Sequence, residues 1–219
     1  GSCVDEDKAK FSVFDRGFLF ADAVYEVTAV IDGKILEWDG HVKRLERSLK
    51  ELDMKFPISE TELLDIHFDL IKKNTLKEGL IYLQVTRGED DRSFDYPDES
   101  VKPTLVLFTQ VKSLAESNIA KTGLKVISVP DMRWGRRDIK TVQLLAPSMC
   151  KMMAKKKNKD DAWMIQDGFI TEGTSNNAYI ISKDNVLITR NLSNDILAGV
   201  TRRSILRYAK EAQIKIEER

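Results

Sequence analysis

Apolar and polar positions along this chain alternate in two rhythms, one of period two and one of period 3.6. YEVTAVI, Tyr25–Ile31, reads as a strand, and KILEW reads as its partner across Asp32-Gly33. Asp-Gly suits the left-handed dihedrals of a tight hairpin turn. Val42, Leu45, Leu49 and Leu52 then recur at helical spacing, with Asp39 as the expected cap and Pro57 as the expected breaker. Ser59 with Glu62 predicts a capping box for a second helix reaching about Lys73. Leu80–Gly88 and Pro103–Val111 read as strands around the acidic loop Glu89–Ser100, whose length suits a functional loop.

The pattern turns polar over Lys112–Gly123, where a linker is expected. Beyond it, KVISVP, AWMIQ, FIT, NAYIIS and VLIT read as strands, with helices over about Leu145–Asn158 and Val200–Gln213. Phe169–Ser182 reads as strand–turn–strand. The expected organisation is a domain over 1–111, a linker over 112–123 and a second domain over 124–219. Lys155–Lys157 reads as the solvated C-terminal end of a helix, where cations complement the dipole.

Composition narrows the possibilities. Lys plus Arg and Asp plus Glu both number 35, so nothing points to nucleic acid or another polyanion as partner. No apolar run approaches the ~20 residues of a membrane helix. The opening GSCVDEDKAK has no signal-peptide pattern. Two cysteines, Cys3 and Cys150, make no disulfide framework and point to a reducing cytoplasm. Cys150 reads as a small core residue. Two histidines without a Cys/His cluster give no metal site.

Two segments carry candidate chemistry. In RWGRRDIKTVQLL, Arg133–Leu145, Lys140 stands between Asp138 and an apolar run. A partly buried lysine can lose its proton readily enough to attack a carbonyl. In FITEGTSNNAYIIS, Glu172 is the one acid in a Gly/Ser/Thr/Asn setting. A fixed carboxylate is what a pyridoxal ring needs opposite its pyridinium nitrogen.

With FDRGFLFADAVYEV (Phe14–Val27), GHVKRLERS (Gly40–Ser48), LQVTRG (Leu83–Gly88), TEGTSNNAYI (Thr171–Ile180) and ILAGVTR (Ile196–Arg202), nearly the whole chain resembles the fold-type IV pyridoxal-phosphate aminotransferases. The D-amino-acid branch is the most similar, because the lysine segment reads DIKTVQLL. The resemblance implies an α/β (α+β) fold with a small α+β domain and a larger β-barrel-like one, pyridoxal 5'-phosphate between them, and a homodimer that exchanges active-site loops. It implies transamination between an amino acid and a 2-oxo acid. Branched-chain aminotransferase, amine transaminase and aminodeoxychorismate lyase are alternatives within the fold, and a catalytically dead scaffold is the alternative outside it.

The same resemblance assigns roles. Lys140 bonds the cofactor aldehyde and then carries the substrate proton. Glu172 faces the ring nitrogen. Arg44 contacts the phosphate, where Val200 and Thr201 add a helix N-terminus opened by Gly199. Tyr25 and Arg133 line the cofactor and substrate pocket, and Thr174, Ser175 and Asn177 brace the turn and cofactor. Arg92 grips the substrate carboxylate from the other subunit. Phe94 replaces the histidine that accompanies this arginine in D-alanine enzymes, and an apolar ring cannot donate to a carboxylate. Ala23 replaces a usual glycine, at a backbone cost if its φ is positive. Asp15 and Arg16 are expected to pair with each other. The resemblance also implies a further stretch beyond Arg219, with a Ser/Thr-rich loop over the phosphate.

Overall fold

The computed structural model describes residues 2–116 and 118–219; Ser117, inside the expected linker, and Gly1 lie outside the described residues. The first half builds a four-stranded antiparallel sheet in the order β2-β1-β3-β4, from β1 (Ala23–Ile31), β2 (Lys34–Ile35), β3 (Glu78–Thr86) and β4 (Thr104–Val111). Asp32 and Gly33 have φ of 51° and 70°, so the β1–β2 hairpin turns as the sequence predicts. A short helix, α1 (Arg16–Phe20), precedes β1.

Val24, Glu26, Thr28 and Val30 alternate inward along β1, with Ile81, Leu83 and Val85 beside them on β3. Helices α2 (Trp38–Glu51) and α3 (Glu60–Lys73) supply Leu45, Leu49 and Leu63 to this core, which Ile139 closes. The Ser59–Glu62 capping box starts α3 as read. Two expectations about α2 are corrected. Its cap is Glu37, in a left-handed conformation without a side-chain capping bond, and Asp39 lies in the first turn. The helix stops at Glu51, well before Pro57, because Asp53 turns left-handed at φ 52°.

The second half contains two three-stranded sheets. One joins β5 (Val126–Pro130), β6 (Asp161–Gln166) and β7 (Phe169–Gly173) in that order, covered by α5 (Leu145–Lys156). Cys150 and Ala154 of α5 pack on Val129, Ala162 and Met164, so Cys150 is core as read. The other sheet has the order β10-β9-β8, from β8 (Tyr179–Ile181), β9 (Leu187–Thr189) and β10 (Ile216–Glu218). Helix α6 (Val200–Glu211) links β9 to β10, and the five-residue α4 (Asn118–Thr122) falls within the expected linker.

The expected barrel is not closed among the described residues, because β7 and β8 belong to different sheets. A tight turn separates them, with the Gly173 N–H donating to the Asn176 carbonyl at 2.7 Å. No helix among the described residues is long and apolar enough to cross a membrane.

Candidate active site

The lysine segment is stitched to the end of β1 that β2 leaves unpaired. The Tyr25 N–H donates to the Lys140 carbonyl at 3.0 Å, and the Val142 N–H donates to the Ala23 carbonyl at 3.2 Å. Val24 and Thr141 form the bridge between these bonds. The Lys140 N–H reaches Ser48 Oγ on α2 at 3.3 Å. Its side chain then lies over Tyr25, with Nζ 4.0 Å from the ring centre. Burial pulls the amine from 10.5 down to about 8; the Arg44 charge assists, and the Glu26 and Glu172 carboxylates oppose. Tyr25 stacks on Tyr82 with ring centres 5.6 Å apart, and burial pushes its phenol up to about 12, so it stays protonated at neutral pH.

Behind this ring lies an ionic cluster that sequence reasoning missed. Glu26 accepts Nε and a terminal nitrogen of Arg44, both at 2.8 Å, and pairs with His41 Nδ1 at 2.7 Å. Burial alone would raise the Glu26 carboxyl, but the hydrogen bonds from Arg44 and His41 overcome it and hold the group below its ordinary range. The remaining Arg44 nitrogen donates to the Ala198 carbonyl at 3.1 Å, just before α6. Arg44 is therefore enclosed, with 11% of its side chain exposed. The available signal was an acid on the inward period of β1 opposite His41 and Arg44, three residues apart on one helix face.

Glu172 is buried at the end of β7. Its Oε1 accepts from Arg133, and its Oε2 accepts from Asn177 Nδ2 at 3.0 Å and the Leu197 N–H at 3.2 Å. Burial pushes its carboxyl upward against the pull of Arg133. Arg133 is itself held by Asp131, at 3.0 and 2.7 Å. Asp131 also takes the Thr171 hydroxyl at 2.7 Å. Arg133 thus reaches the site through Glu172. Among the described residues Oε1 accepts from Arg133 alone, which leaves it a lone pair for one more donor.

Helix α6 begins at Val200 after Gly199, without a side-chain cap, so its first N–H groups are free for an anion. Val200 is buried and Thr201 exposed. Gly199 has room for no side chain: a Cβ there would lie 2.2 Å from Asn177 Oδ1. Glu37, at the start of α2, clasps α6 through Arg203 at 2.7 Å, Ser204 at 2.9 Å and Arg207 at 3.1 Å.

The other candidates lie apart. The Thr174 hydroxyl donates to Asp161 Oδ1 at 2.5 Å, so it braces the turn, and Ser175 is exposed. Arg92 and Phe94 sit on the outer loop beside Phe20, with the Arg92 guanidinium 5.3 Å from the Phe20 ring centre. Ala23 does not have positive φ; the left-handed residue is Ala21, so no backbone cost falls on Ala23. Asp15 and Arg16 do not pair with each other. Asp15 caps α1 and accepts the Thr86 hydroxyl, and Arg16 binds Asp22.

This donor set fits pyridoxal phosphate. A readily deprotonated amine suits its aldehyde, a buried carboxylate with a spare lone pair suits its ring nitrogen, and an uncapped helix N-terminus near a guanidinium suits its phosphate.

The family profile of amino-transferase class IV matches residues 23–219. The D-alanine aminotransferase of Staphylococcus epidermidis is 36% identical over 218 residues, covering 100% of this chain and 77% of that protein. The D-alanine aminotransferase of Bacillus licheniformis is 34% identical over 219 residues, covering 100% and 76%. Among solved structures, the branched-chain amino acid aminotransferase of Escherichia coli superposes with a TM-score of 0.89 at 21% identity, over 99% of this chain and 74% of that one. A 4-amino-4-deoxychorismate lyase homologue from Legionella pneumophila gives 0.85 at 24% identity, over 98% and 79%. The chain belongs to the class IV aminotransferases, which are pyridoxal-phosphate enzymes.

Proposed function

We propose that this aminotransferase moves the amino group of a D-amino acid, D-alanine among them, to a 2-oxo acid. The observation that carries the chemistry is the Lys140 amine, brought to a pKa of about 8 and held over Tyr25 in the electrostatic reach of Glu172. The D-amino-acid preference rests on the two D-alanine aminotransferases, 36% and 34% identical along the full chain.

The bound cofactor supplies an aldehyde that exchanges amino groups and a ring that accepts the electron pair of the deprotonated substrate carbon. Lys140 Nζ serves first as the anchoring amine. Once displaced, it would take the proton from the substrate carbon and return it to the carbon on the far side of the shared nitrogen, which lets the amino group stay with the cofactor. A pKa near 8 leaves a usable neutral fraction at physiological pH. Glu172, whose charge Arg133, Asn177 and the Leu197 N–H favour against its burial, would face the ring nitrogen and keep its proton in place. Arg44 and the N–H groups of Val200 and Thr201 would hold the phosphate. Tyr25, protonated and stacked, forms the wall beside the reacting carbon.

In this reading residues 1–111 and 124–219 are two domains joined by 112–123, and the enzyme is a cytoplasmic homodimer. The free Cys3 and Cys150 suit a reducing compartment. Arg92 stands on an outer loop of its own chain, and Arg92 of the partner subunit would grip the substrate carboxylate. Phe94 beside it favours donors with a larger apolar side chain than the D-alanine pattern implies.

The test is to load the purified protein with pyridoxal phosphate and assay D-alanine, other D-amino acids, L-leucine and a simple amine against 2-oxoglutarate, with Lys140→Ala alongside. D-donors alone should react, with no turnover by the variant. Turnover restricted to L-leucine or to the amine would overturn the D-amino-acid reading, and full activity of Lys140→Ala would overturn the role of the lysine.

A further inference from the structure

The loop Glu89–Ser100 is attached to the fold by two buried arginines that the proposed chemistry does not use. Arg16, on α1, is 3% exposed. One of its terminal nitrogens donates to the Ser93 carbonyl at 2.7 Å and to the Asp95 carbonyl at 3.1 Å, so it grips the loop backbone on both sides of Phe94. Its Nε is fixed on Asp22 Oδ2 at 2.9 Å. Arg87 shares that oxygen at 2.7 Å, and its guanidinium lies 3.6 Å from the Tyr96 ring centre. The Phe20 ring ties the set together, with Arg16 4.6 Å and Arg92 5.3 Å from its centre and Phe94 edge-on at 5.6 Å.

Two carbonyls aimed at one guanidinium nitrogen fix the backbone at residues 93 and 95, and therefore the direction in which residue 92 leaves it. Without Arg16, both carbonyls and the Asp22 carboxylate would lose a charge-assisted partner. The centre of the loop would then keep the Tyr96 contact with Arg87 and the ring contacts of Phe20, while its two ends stay tied by the Asp90 N–H to the Phe14 carbonyl at 3.4 Å and by Lys55 to Glu99 at 3.1 Å.

We propose that Arg16 is a positioning residue for substrate recognition: it sets the loop so that Arg92 is presented at the height of the substrate carboxylate. Phe20 is the surface against which both guanidiniums are aligned. This inference rests on the reading of Arg92 as the carboxylate grip. Arg16 touches neither substrate nor cofactor, and it acts on substrate affinity with little effect on the proton transfer at Lys140.

The experiment is a double-mutant cycle in the cofactor-loaded enzyme, with KM and kcat for D-alanine measured for Arg92→Ala, Arg16→Lys and the pair. Amide hydrogen exchange over residues 93–96 is measured on the same proteins. Arg16→Lys should raise KM about tenfold, leave kcat within about twofold and speed exchange in the loop. Added to Arg92→Ala, it should change KM by less than about twofold, because the group it positions is already gone. Phe20→Leu keeps both guanidiniums and serves if Arg16→Lys misfolds; it should raise KM severalfold in the same non-additive way. An unchanged KM in Arg92→Ala would remove the reading of Arg92 itself. A raised KM in Arg92→Ala with none in Arg16→Lys and Phe20→Leu would overturn the positioning role alone, as would fully multiplicative effects in the double variant.

Discussion

Lys140 and Tyr25 meet twice, once through the backbone, where the Tyr25 N–H donates to the Lys140 carbonyl at 3.0 Å, and once through the side chains, where Nζ stands 4.0 Å from the ring centre. The first contact fixes where the lysine leaves the chain and the second fixes where its amine ends. Water is displaced from the amine between them, and the lowered proton affinity follows from that displacement.

The lysine should cost stability in the cofactor-free protein. Its folded pKa of about 8 lies below its ordinary 10.5, so between these values the unfolded chain holds more protons. Stability from this group therefore rises with pH across that window, and the penalty is complete below pH 8. The displacement corresponds to about 3 kcal/mol at most. Glu26 and Glu172 have their own cations in Arg44 and Arg133, so neither depends on the ammonium. Lys140→Met should stabilise the apoprotein by about 1–3 kcal/mol in urea unfolding at pH 7, and by much less at pH 10. Equal gains at both pH values would show that desolvation is not the cause.

Capture of the cofactor needs the neutral amine. Its rate should climb with pH and level off above a midpoint near 8, followed by visible absorbance. Arg44→Gln removes a charge that lowers this midpoint and should move it upward. Glu26→Gln removes one that raises it and should move it downward. Shifts of the same sign in both variants would contradict the assignment.

Glu172→Gln keeps the size and the oxygen that Asn177 and Leu197 need, but loses the negative charge. Turnover should fall at least 100-fold, about 3 kcal/mol in the barrier, with cofactor affinity kept within about tenfold. A variant of near-normal kcat would mean that the ring-nitrogen charge is supplied elsewhere.

Gly199→Ala tests the crowding at the start of α6, where the phosphate is proposed to sit. The backbone there is ordinary, at φ −63°, so the obstacle is Asn177 Oδ1 at 2.2 Å from the added methyl. Asn177 is pinned to both Glu172 and the Leu197 carbonyl and cannot swing aside without releasing them. The variant should bind pyridoxal phosphate at least tenfold more weakly while keeping its far-ultraviolet circular dichroism. Unchanged affinity would show that the turn has slack.

Local chemistry made several elements readable from the chain alone. The Ser59–Glu62 box and the Asp32-Gly33 turn need only neighbouring residues, and both occur where the pattern puts them. The end of α2 was not readable, because the left-handed Asp53 stops it without any breaker. Lys140 and Glu172 stood out through the motifs around them. Glu26 did not, because its meaning depends on Arg44 and His41 arriving from another element. The same holds for Asp131 and Asp161, buried acids that hold the Arg133 side chain and the turn after Glu172. Tertiary contact alone distinguishes such groups from surface acids. Arg16 was misread for a related reason: adjacency to Asp15 suggested a pair, and its partners are Asp22 and a loop about 77 residues away.

The stitching of the lysine segment along β1 governs how the gene can change length. The backbone turns where the Ile139 N–H bonds the Arg136 carbonyl at 3.2 Å and is fixed again where Thr141 bridges to Val24, so losing one residue between Arg137 and Thr141 would carry the amine away from Tyr25. Both ends of that stretch are tied, at the Asn194 carbonyl and at Ala23, and neither can slide to compensate. Gly135 has open space around it. Insertions should be tolerated there and nowhere in the next six residues, which makes this short run the frame to which the reaction is registered.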